Sequence, residues 1–252
     1  MLTCRLLGPY YTIKSVLNSG LGNQMFLYAL TRTVAEIKGY NFFIDSNVWQ
    51  GHGLFNVDLG ISDGNIETVF NDNYELTFNP DVFKVGDFTS FNGYFQSEKY
   101  FNHDKAREWF KPTITVDCQY SYDDYCYVHF RGGDYSLPPW DNLQLPISYY
   151  DDAKKRILEI NPSLKFVIVT NHRQEAVNLF PNDEVVSGSV EEDFVLLSQA
   201  KYLIISNSSF SWWVAWLNPS DSIIGPHGWL NYNRGKIIFS PTDIKVERFI
   251  WI

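Results

Sequence analysis

The chain has 252 residues, 45% of them hydrophobic and 19% charged, so it is long enough for one large or two small globular domains and too apolar to be disordered. Asp and Glu number 29 against 20 Lys and Arg, a formal charge of −9. That balance excludes the cationic face that non-specific binding to nucleic acid or anionic lipid needs, and an anionic ligand has to be captured by a few placed donors.

Three cysteines, Cys4, Cys118 and Cys126, are too few and too odd for a disulfide framework, and no pair has zinc-finger spacing. No run approaches the ~20 apolar residues of a membrane span. The first residues lack a basic segment leading into an apolar one. The expectation is a soluble, cytoplasmic protein with free thiols.

The first predicted unit is a strand over 12–17, a turn over 18–23 containing Gly20 and Gly22, and a helix over 24–38. In that helix Phe26, Leu30, Thr33, Val34 and Ile37 recur at spacings of three and four and form one face. Gly39 ends it, and residues 41–45 read as a second strand, giving βαβ. Residues 46–93 are turn-rich and carry no clear periodicity. Ser97 is a candidate cap for a helix over 98–110, which Pro112 stops.

From residue 125 the alternation is regular. Strands are expected at 125–130, 165–170, 185–186, 202–206 and 222–225. Helices are expected at 149–160, 173–180, 191–200 and 211–217. Alternating strands and helices predict parallel sheets. A boundary is expected in 111–124, dividing the chain into two α/β halves, 1–115 and 116–252.

In open α/β sheets ligands bind beyond the carboxyl ends of the strands. Five such ends carry unusual residues. Gly20, Gly22 and Asn23 precede a helix start whose free N–H groups suit an anion, or they form an ordinary turn. His129, Arg131, Gly132, Gly133 and Asp134 follow the 125–130 strand. There a guanidinium fork beside two glycines is a phosphate device, or else a surface ion pair of Arg131 with Asp134. Asn171 and His172 follow the 165–170 strand, and Asn171 either contacts a base or ribose or caps the next helix. Ser206, Asn207, Ser208, Ser209 and Ser211 lie between a hydrophobic strand and a Trp-rich helix, where hydroxyls and amides suit phosphate or simply cap. Trp212, Trp213 and Trp216 are core candidates. Pro226 and His227 sit in a turn after the last strand. The sequence contains no Asp-x-Asp pair and no histidines at metal-ligand spacing.

Gly20-Leu21-Gly22-Asn23-Gln24-Met25-Phe26, with Tyr28 and Ala29, resembles the N-terminal signature of the α-1,2-fucosyltransferases, glycosyltransferase family 11. Gly93-Tyr94-Phe95-Gln96-Ser97-Glu98-Lys99-Tyr100-Phe101 resembles that family's second signature. His129-x-Arg131 with Asp134 is similar to an H-x-R-R-x-D motif shared among fucosyltransferases. Ser206-Asn207-Ser208-Ser209-Phe210-Ser211-Trp212-Trp213, with Ala215 and Trp216, resembles the C-terminal signature. Order and spacing of all four agree.

The resemblance implies a GT-B-like fold, two Rossmann-type α/β domains facing a cleft. The first, with the glycine-rich turn, would take the acceptor side and the second the GDP-sugar. It implies an inverting, metal-independent fucosyltransferase with no cofactor, using GDP-β-L-fucose and a glycan acceptor whose galactose 2-OH is fucosylated. Arg131 would clamp the diphosphate and His129 would lie near the nucleotide. Asn23 with the Gly20–Gly22 backbone would close over the phosphates, Gln24 belonging to the same signature. Ser208 and Ser209 would hold the phosphates from the other strand end, and Asn171 and Asn207 complete the candidate substrate-binding set. By position near the cleft, Asp134 and Glu98 are candidate bases for the acceptor hydroxyl, or else they orient Arg131 or a loop. Two positions depart from the pattern. Gly132 stands where the motif has its second arginine, and Asn171-His172 stand where an acidic pair is usual. A non-catalytic glycan- or nucleotide-binding relative, or a transferase with another GDP-sugar or a peptide acceptor, are the alternatives.

Overall fold

The computed structural model describes residues 20–60, 68–73, 76–138, 140–230 and 240–252. The predicted strand over 12–17 lies outside them. The chain forms two units. One runs to Thr113 and includes Pro241–Ile244; the other comprises Ile114–Ser240 and Lys245–Ile252. Both contain parallel strands, so the chain has the α/β class expected from its alternation.

The first unit is built on α1, Leu21–Lys38. The helix begins at Leu21 rather than after the turn: Gly20 caps it, and the Gly20 carbonyl accepts from the N–H groups of Asn23 and Gln24. The extension is driven by burial, since Leu21 and Met25–Leu30 are all shut off from solvent. The glycines therefore serve here in ordinary conformation, with Gly20 at φ −65° and Gly22 inside the helix. Gly39 terminates α1 in the left-handed region (φ 66°), as its sequence position implied. Ile37 does not share the buried face; it is 61% exposed on the last turn.

Residues 41–45 do not form a sheet strand. Phe43 makes one isolated antiparallel bridge with Gly60, and the Ile44 N–H donates to the Leu59 carbonyl. Among the described residues the strands of this unit are β1, Thr68–Asn71, and β2, Thr89–Asn92, paired in parallel. The predicted helix over 98–110 is interrupted. Ser97 caps only the turn Glu98–Tyr100, and Asn102 then starts α2, His103–Trp109, by accepting from the Lys105 N–H. The break is fixed by the Asn102 N–H, which donates to Thr33 Oγ1 on α1 instead of continuing a helix.

In the second unit the elements are β3 Tyr125–Phe130, α3 Ile147–Ile160, β4 Lys165–Thr170, α4 Arg173–Leu179 and β5 Glu184–Val186. They are followed by α5 Val190–Ser198, β6 Leu203–Ile204, α6 Ser209–Leu217, β7 Ile223–Gly225 and β8 Ile250–Trp251. The six strands form one all-parallel sheet in the order β5-β4-β3-β6-β7-β8. β8 has no counterpart among the predicted strands; two residues are too short to show a period.

The core packs Phe130 of β3 edge-on against Tyr150 of α3 and Phe180. Trp212, Trp213 and Trp216 of α6 are buried against one another, as expected of core residues. The end of α6 is held by Arg248, whose guanidinium donates to the carbonyls of Ala215, Trp216, Asn218 and Ser220. That satisfies acceptors that a helix end leaves orphaned.

Candidate functional site

The strand order decides where the second unit can bind a ligand. From β3 the chain steps outward through β4 to β5, then returns to place β6 on the other side of β3. The sheet therefore has its topological switch point between β3 and β6, where open parallel sheets open a crevice at the carboxyl edge. In register, Val128 pairs with Ile204, so both chains leave the sheet side by side. One continues into the arginine motif and the other into the serine-rich turn.

His129 ties these two segments together. Its Nδ1 lies 2.9 Å from Ser206 Oγ, and its ring packs on Phe210 with centroids 5.4 Å apart. The ring is 4% exposed. Burial, aided by the nearby Arg131 charge, drops its pKa to about 3, so the imidazole is neutral.

Arg131 is not extended into bulk water. Its side chain is 31% exposed, Nη2 is 2.8 Å from Asp134 Oδ2, and the guanidinium lies over the Tyr135 ring at 5.1 Å. Its Nε is buried and has no partner among the described residues. Asp134 thus orients Arg131.

The glycines beside it do not offer free amides, contrary to the sequence expectation. The Gly132 N–H donates to Asn171 Oδ1 at 3.2 Å, and the Gly133 N–H to Glu175 Oε2 at 2.9 Å. Asn171 also returns Nδ2 to the Gly132 carbonyl, and α4 has no side-chain cap. Asn171 therefore does not cap α4; its side chain holds the arginine loop. Glu175 receives Ser136 Oγ as well, together with Gln144 Nε2 at 2.7 Å. Burial pushes the Glu175 carboxyl up. Hydrogen bonds from Ser136, Gly133 and Gln144, with His172 nearby, outweigh it and leave the pKa lowered. The sequence offered no signal for Glu175, which lies 42 residues from the glycine it holds.

At the other strand end the roles divide. Asn207 donates both Nδ2 hydrogens to protein carbonyls, those of Leu143 and Trp229, so its side chain braces the turn and has no donor left for a phosphate. Ser208 stands at the N-cap of α6 yet makes no capping bond with its side chain. The α6 start is thus left without the side-chain acceptor that usually covers its N–H groups, and Ser208 and Ser209 bring two hydroxyls to it. His227 is exposed, with Nδ1 3.0 Å from Lys245 Nζ. Asp193, at the start of α5 beyond β5, is a buried carboxylate the sequence reading missed. Its Oδ1 accepts from the Gly188 N–H, and burial raises its pKa to about 7.

The first unit unites two of the motifs. Gln96 Nε2 donates to Asn23 Oδ1 at 2.8 Å. Gln96 is delivered by a tight turn in which Asp72 accepts from the Tyr94 and Phe95 N–H groups. Phe95 there has φ 48°, a left-handed conformation unusual for an aromatic residue. Gly93 has φ 145°, and any Cβ would run into Asp72. Gln24 is buried and engaged with the backbone of Val48 and Gln50, so it supports the helix start rather than facing a ligand. Gly20 is exposed, and a Cβ there would touch nothing in the protein. Glu98 lies 4.0 Å from His103 Nε2. Among the described residues no three His, Cys, Asp or Glu side chains are grouped to hold a metal ion, and no helix is long and apolar enough to cross a membrane.

Comparison with known proteins decides the family. Glycosyl transferase family 11 matches residues 63–236, more than half of the chain and all of the arginine and serine-rich segments. The chain belongs to glycosyl transferase family 11. A relative of this family member is the Escherichia coli alpha-1,2-colitosyltransferase, 32% identical over 161 residues, 55% of each chain. Another is the Escherichia coli O-antigen biosynthesis glycosyltransferase WbnK, 33% identical over 123 residues, 44% of this chain and 41% of that one. The Bos taurus galactoside 2-alpha-L-fucosyltransferase SEC1 is 24% identical over 97% of this chain and 74% of its own length. The family 11 chain matches about half the length of the two bacterial relatives. It overlays on the E. coli heptosyltransferase WaaC with ADP at a TM-score of 0.46 and 11% identity, covering 100% of this chain and 92% of WaaC.

Proposed function

We propose that this family 11 chain is an inverting, metal-independent α-1,2-fucosyltransferase. It moves L-fucose from GDP-β-L-fucose to the 2-OH of a galactose-like sugar on a glycan, within a GT-B arrangement. The second unit takes the sugar nucleotide, and the first, with Asn23 and the Gly20 turn, serves the acceptor side. The observation that supports this most directly is the His129–Ser206 hydrogen bond. It brings the arginine motif and the serine-rich motif to one switch point of one sheet.

Cleavage of the anomeric C–O bond builds positive charge on the sugar and negative charge on the departing GDP, with an oxocarbenium-like transition state. Stabilising the leaving diphosphate is then the main catalytic task. Arg131, oriented by Asp134, supplies the formal charge. The uncapped start of α6, with the Ser208 and Ser209 hydroxyls, supplies dipoles and donors. These groups neutralise the diphosphate without a divalent ion. Asp134 is committed to Arg131 and acts through it; an acceptor base of low demand suits a dissociative transition state.

The colitosyltransferase match favours a second donor reading, in which a GDP-colitose is used in place of GDP-fucose. Both readings are tested by measuring GDP release with each sugar nucleotide over a panel of galactose-terminated acceptors, with EDTA present throughout. Release with GDP-fucose in EDTA is the expected result. Release only with GDP-colitose moves the assignment to the second donor, loss of activity in EDTA removes metal independence, and no release with any donor sinks the transferase reading.

A further inference from the structure

His129 sits at the end of a buried chain of hydroxyls in which only one arrangement of protons makes each of the side-chain contacts a hydrogen bond. Ser211 Oγ has a single proton. It lies 3.0 Å from the Ser206 carbonyl and 3.1 Å from the Ser208 carbonyl, but 3.3 Å from Ser206 Oγ. The Ser208 carbonyl already accepts from the Trp212 N–H. Ser206 is fully buried, and an unmet carbonyl there is costly, so the Ser211 proton goes to the backbone. Ser206 Oγ then donates to Ser211 Oγ, which has lone pairs to spare. Its own free lone pair faces His129 Nδ1 at 2.9 Å, so in this arrangement Nδ1 carries the proton. In a neutral ring the other nitrogen is then a bare acceptor. Nε2 has no hydrogen-bond partner among the described residues.

We propose that Ser211 and Ser206 are positioning residues that hold His129 as the Nδ1–H tautomer, so that Nε2 meets the sugar nucleotide as a hydrogen-bond acceptor. This rests on the reading of the β3–β6 switch point as the sugar-nucleotide site. The consequence is chemical selectivity. Phosphate oxygens of a nucleoside diphosphate have no proton to give, so Nε2 repels them and takes an N–H or O–H group from base, ribose or sugar. Arg131, two residues on, has donors only and takes the opposite partner. The two ends of one short segment thus sort the two halves of a nucleotide.

The test is 15N NMR of the imidazole nitrogens in the full-length protein, with His129 assigned by comparison with His129→Gln. The unliganded wild type is expected to show a protonated Nδ1 and a pyridine-type Nε2 near neutral pH. A protonated Nε2 in that spectrum overturns the proposal, whatever the variants do. In Ser211→Ala the Ser206 hydroxyl loses its acceptor and turns to Nδ1, and the signature shifts to the Nε2–H form. GDP binding, measured by calorimetry, weakens about tenfold, the equivalent of one lost hydrogen bond. An unchanged His129 signature in a folded Ser211→Ala removes Ser211 from the role. Adding GDP to wild type moves the Nε2 resonance, while inorganic pyrophosphate does not. A response to GDP-fucose alone places the donating hydroxyl in the sugar, and an equal response to pyrophosphate overturns the selectivity. Should neither nucleotide bind at all, the sugar-nucleotide reading falls, while the tautomer is still decided by the unliganded spectrum.

Discussion

Glu175 occupies the space that a side chain at position 132 would need. A Cβ built on Gly132 meets Glu175 Oε2 at 2.5 Å and Phe130 Cε1 at 2.8 Å. The motif resembled by this segment has its second arginine there. Here a carboxylate from α4 reaches across instead, holding the Gly133 N–H and Ser136. The departure at Gly132 is therefore matched by a compensating residue far away in sequence. Installing Gly132→Arg to restore the motif should lower activity rather than raise it. Gly132→Ala should already cost about 1–3 kcal/mol, the range of overpacking a filled site. Thermal melts of both variants, beside GDP release, check this; a Gly132→Arg protein with raised turnover would show that the loop has room to spare.

Arg131→Ala should reduce transfer by about 10²–10³-fold, the effect of removing one preorganised donor to a developing anion. Arg131→Lys should recover only part of that, because a point charge cannot reproduce the planar fork of donors that holds Asp134 and still offers donors to a diphosphate. Turnover at saturating donor is the measurement. Near-normal kcat in Arg131→Ala removes the residue from the reaction.

Two buried groups pull the pH dependence of stability in opposite directions. Burial raises the Asp193 pKa to about 7, so between its unfolded value near 4 and 7 the native state binds the extra proton, and stability falls as pH rises. Burial lowers the His129 pKa to about 3, so between about 3 and its unfolded value near 6.5 the unfolded state binds the extra proton, and stability rises with pH. The two slopes overlap from about 4 to 6.5 and offset each other there. Asp193→Asn keeps an acceptor for the Gly188 N–H and deletes the first slope. That variant should be more stable than wild type at pH 8, by an amount on the order of a few kcal/mol, and indistinguishable from it near pH 4. Denaturant titrations at pH 4, 6 and 8 read the difference; equal stabilities at pH 8 would mean that Asp193 ionises normally.

Asp72 holds the turn that delivers Gln96 to Asn23. Asp72→Ala removes the Oδ2 that accepts from both N–H groups and leaves Phe95 in its left-handed conformation without the bonds that fix it. The expected loss is about 1–3 kcal/mol for the buried N–H groups left unpaired. Gln96→Ala, in contrast, loses the partly buried hydrogen bond to Asn23 and should cost about 0.5–1.5 kcal/mol, with a larger relative effect on acceptor KM than on stability. A Gln96→Ala enzyme with an unaltered KM for acceptor would show that Asn23 needs no such brace.

The sequence by itself determined the regular half of the molecule. From Tyr125 to Gly225 the strands announce themselves as near-continuous apolar runs, because a parallel sheet is buried on both faces, and the helices by the period that one-sided burial imposes; both signals are local. The four motifs and the family were legible for the same reason, as contiguous runs around Asn23, Gln96, Arg131 and Ser208. What the sequence could not carry was the partner of each polar atom. Whether Gly132 offers its amide or gives it to Asn171, and whether Asn207 points its donors at a ligand or at Leu143 and Trp229, depends on groups brought near by the strand order. The same holds for the interruption of the helix at Asn102, set by Thr33 on another element. A hydrogen bond is decided by distances of tenths of an ångström between residues dozens of positions apart. Only the folded chain fixes those distances, and so only the tertiary structure separates the residues that can meet a substrate from those that hold them in place.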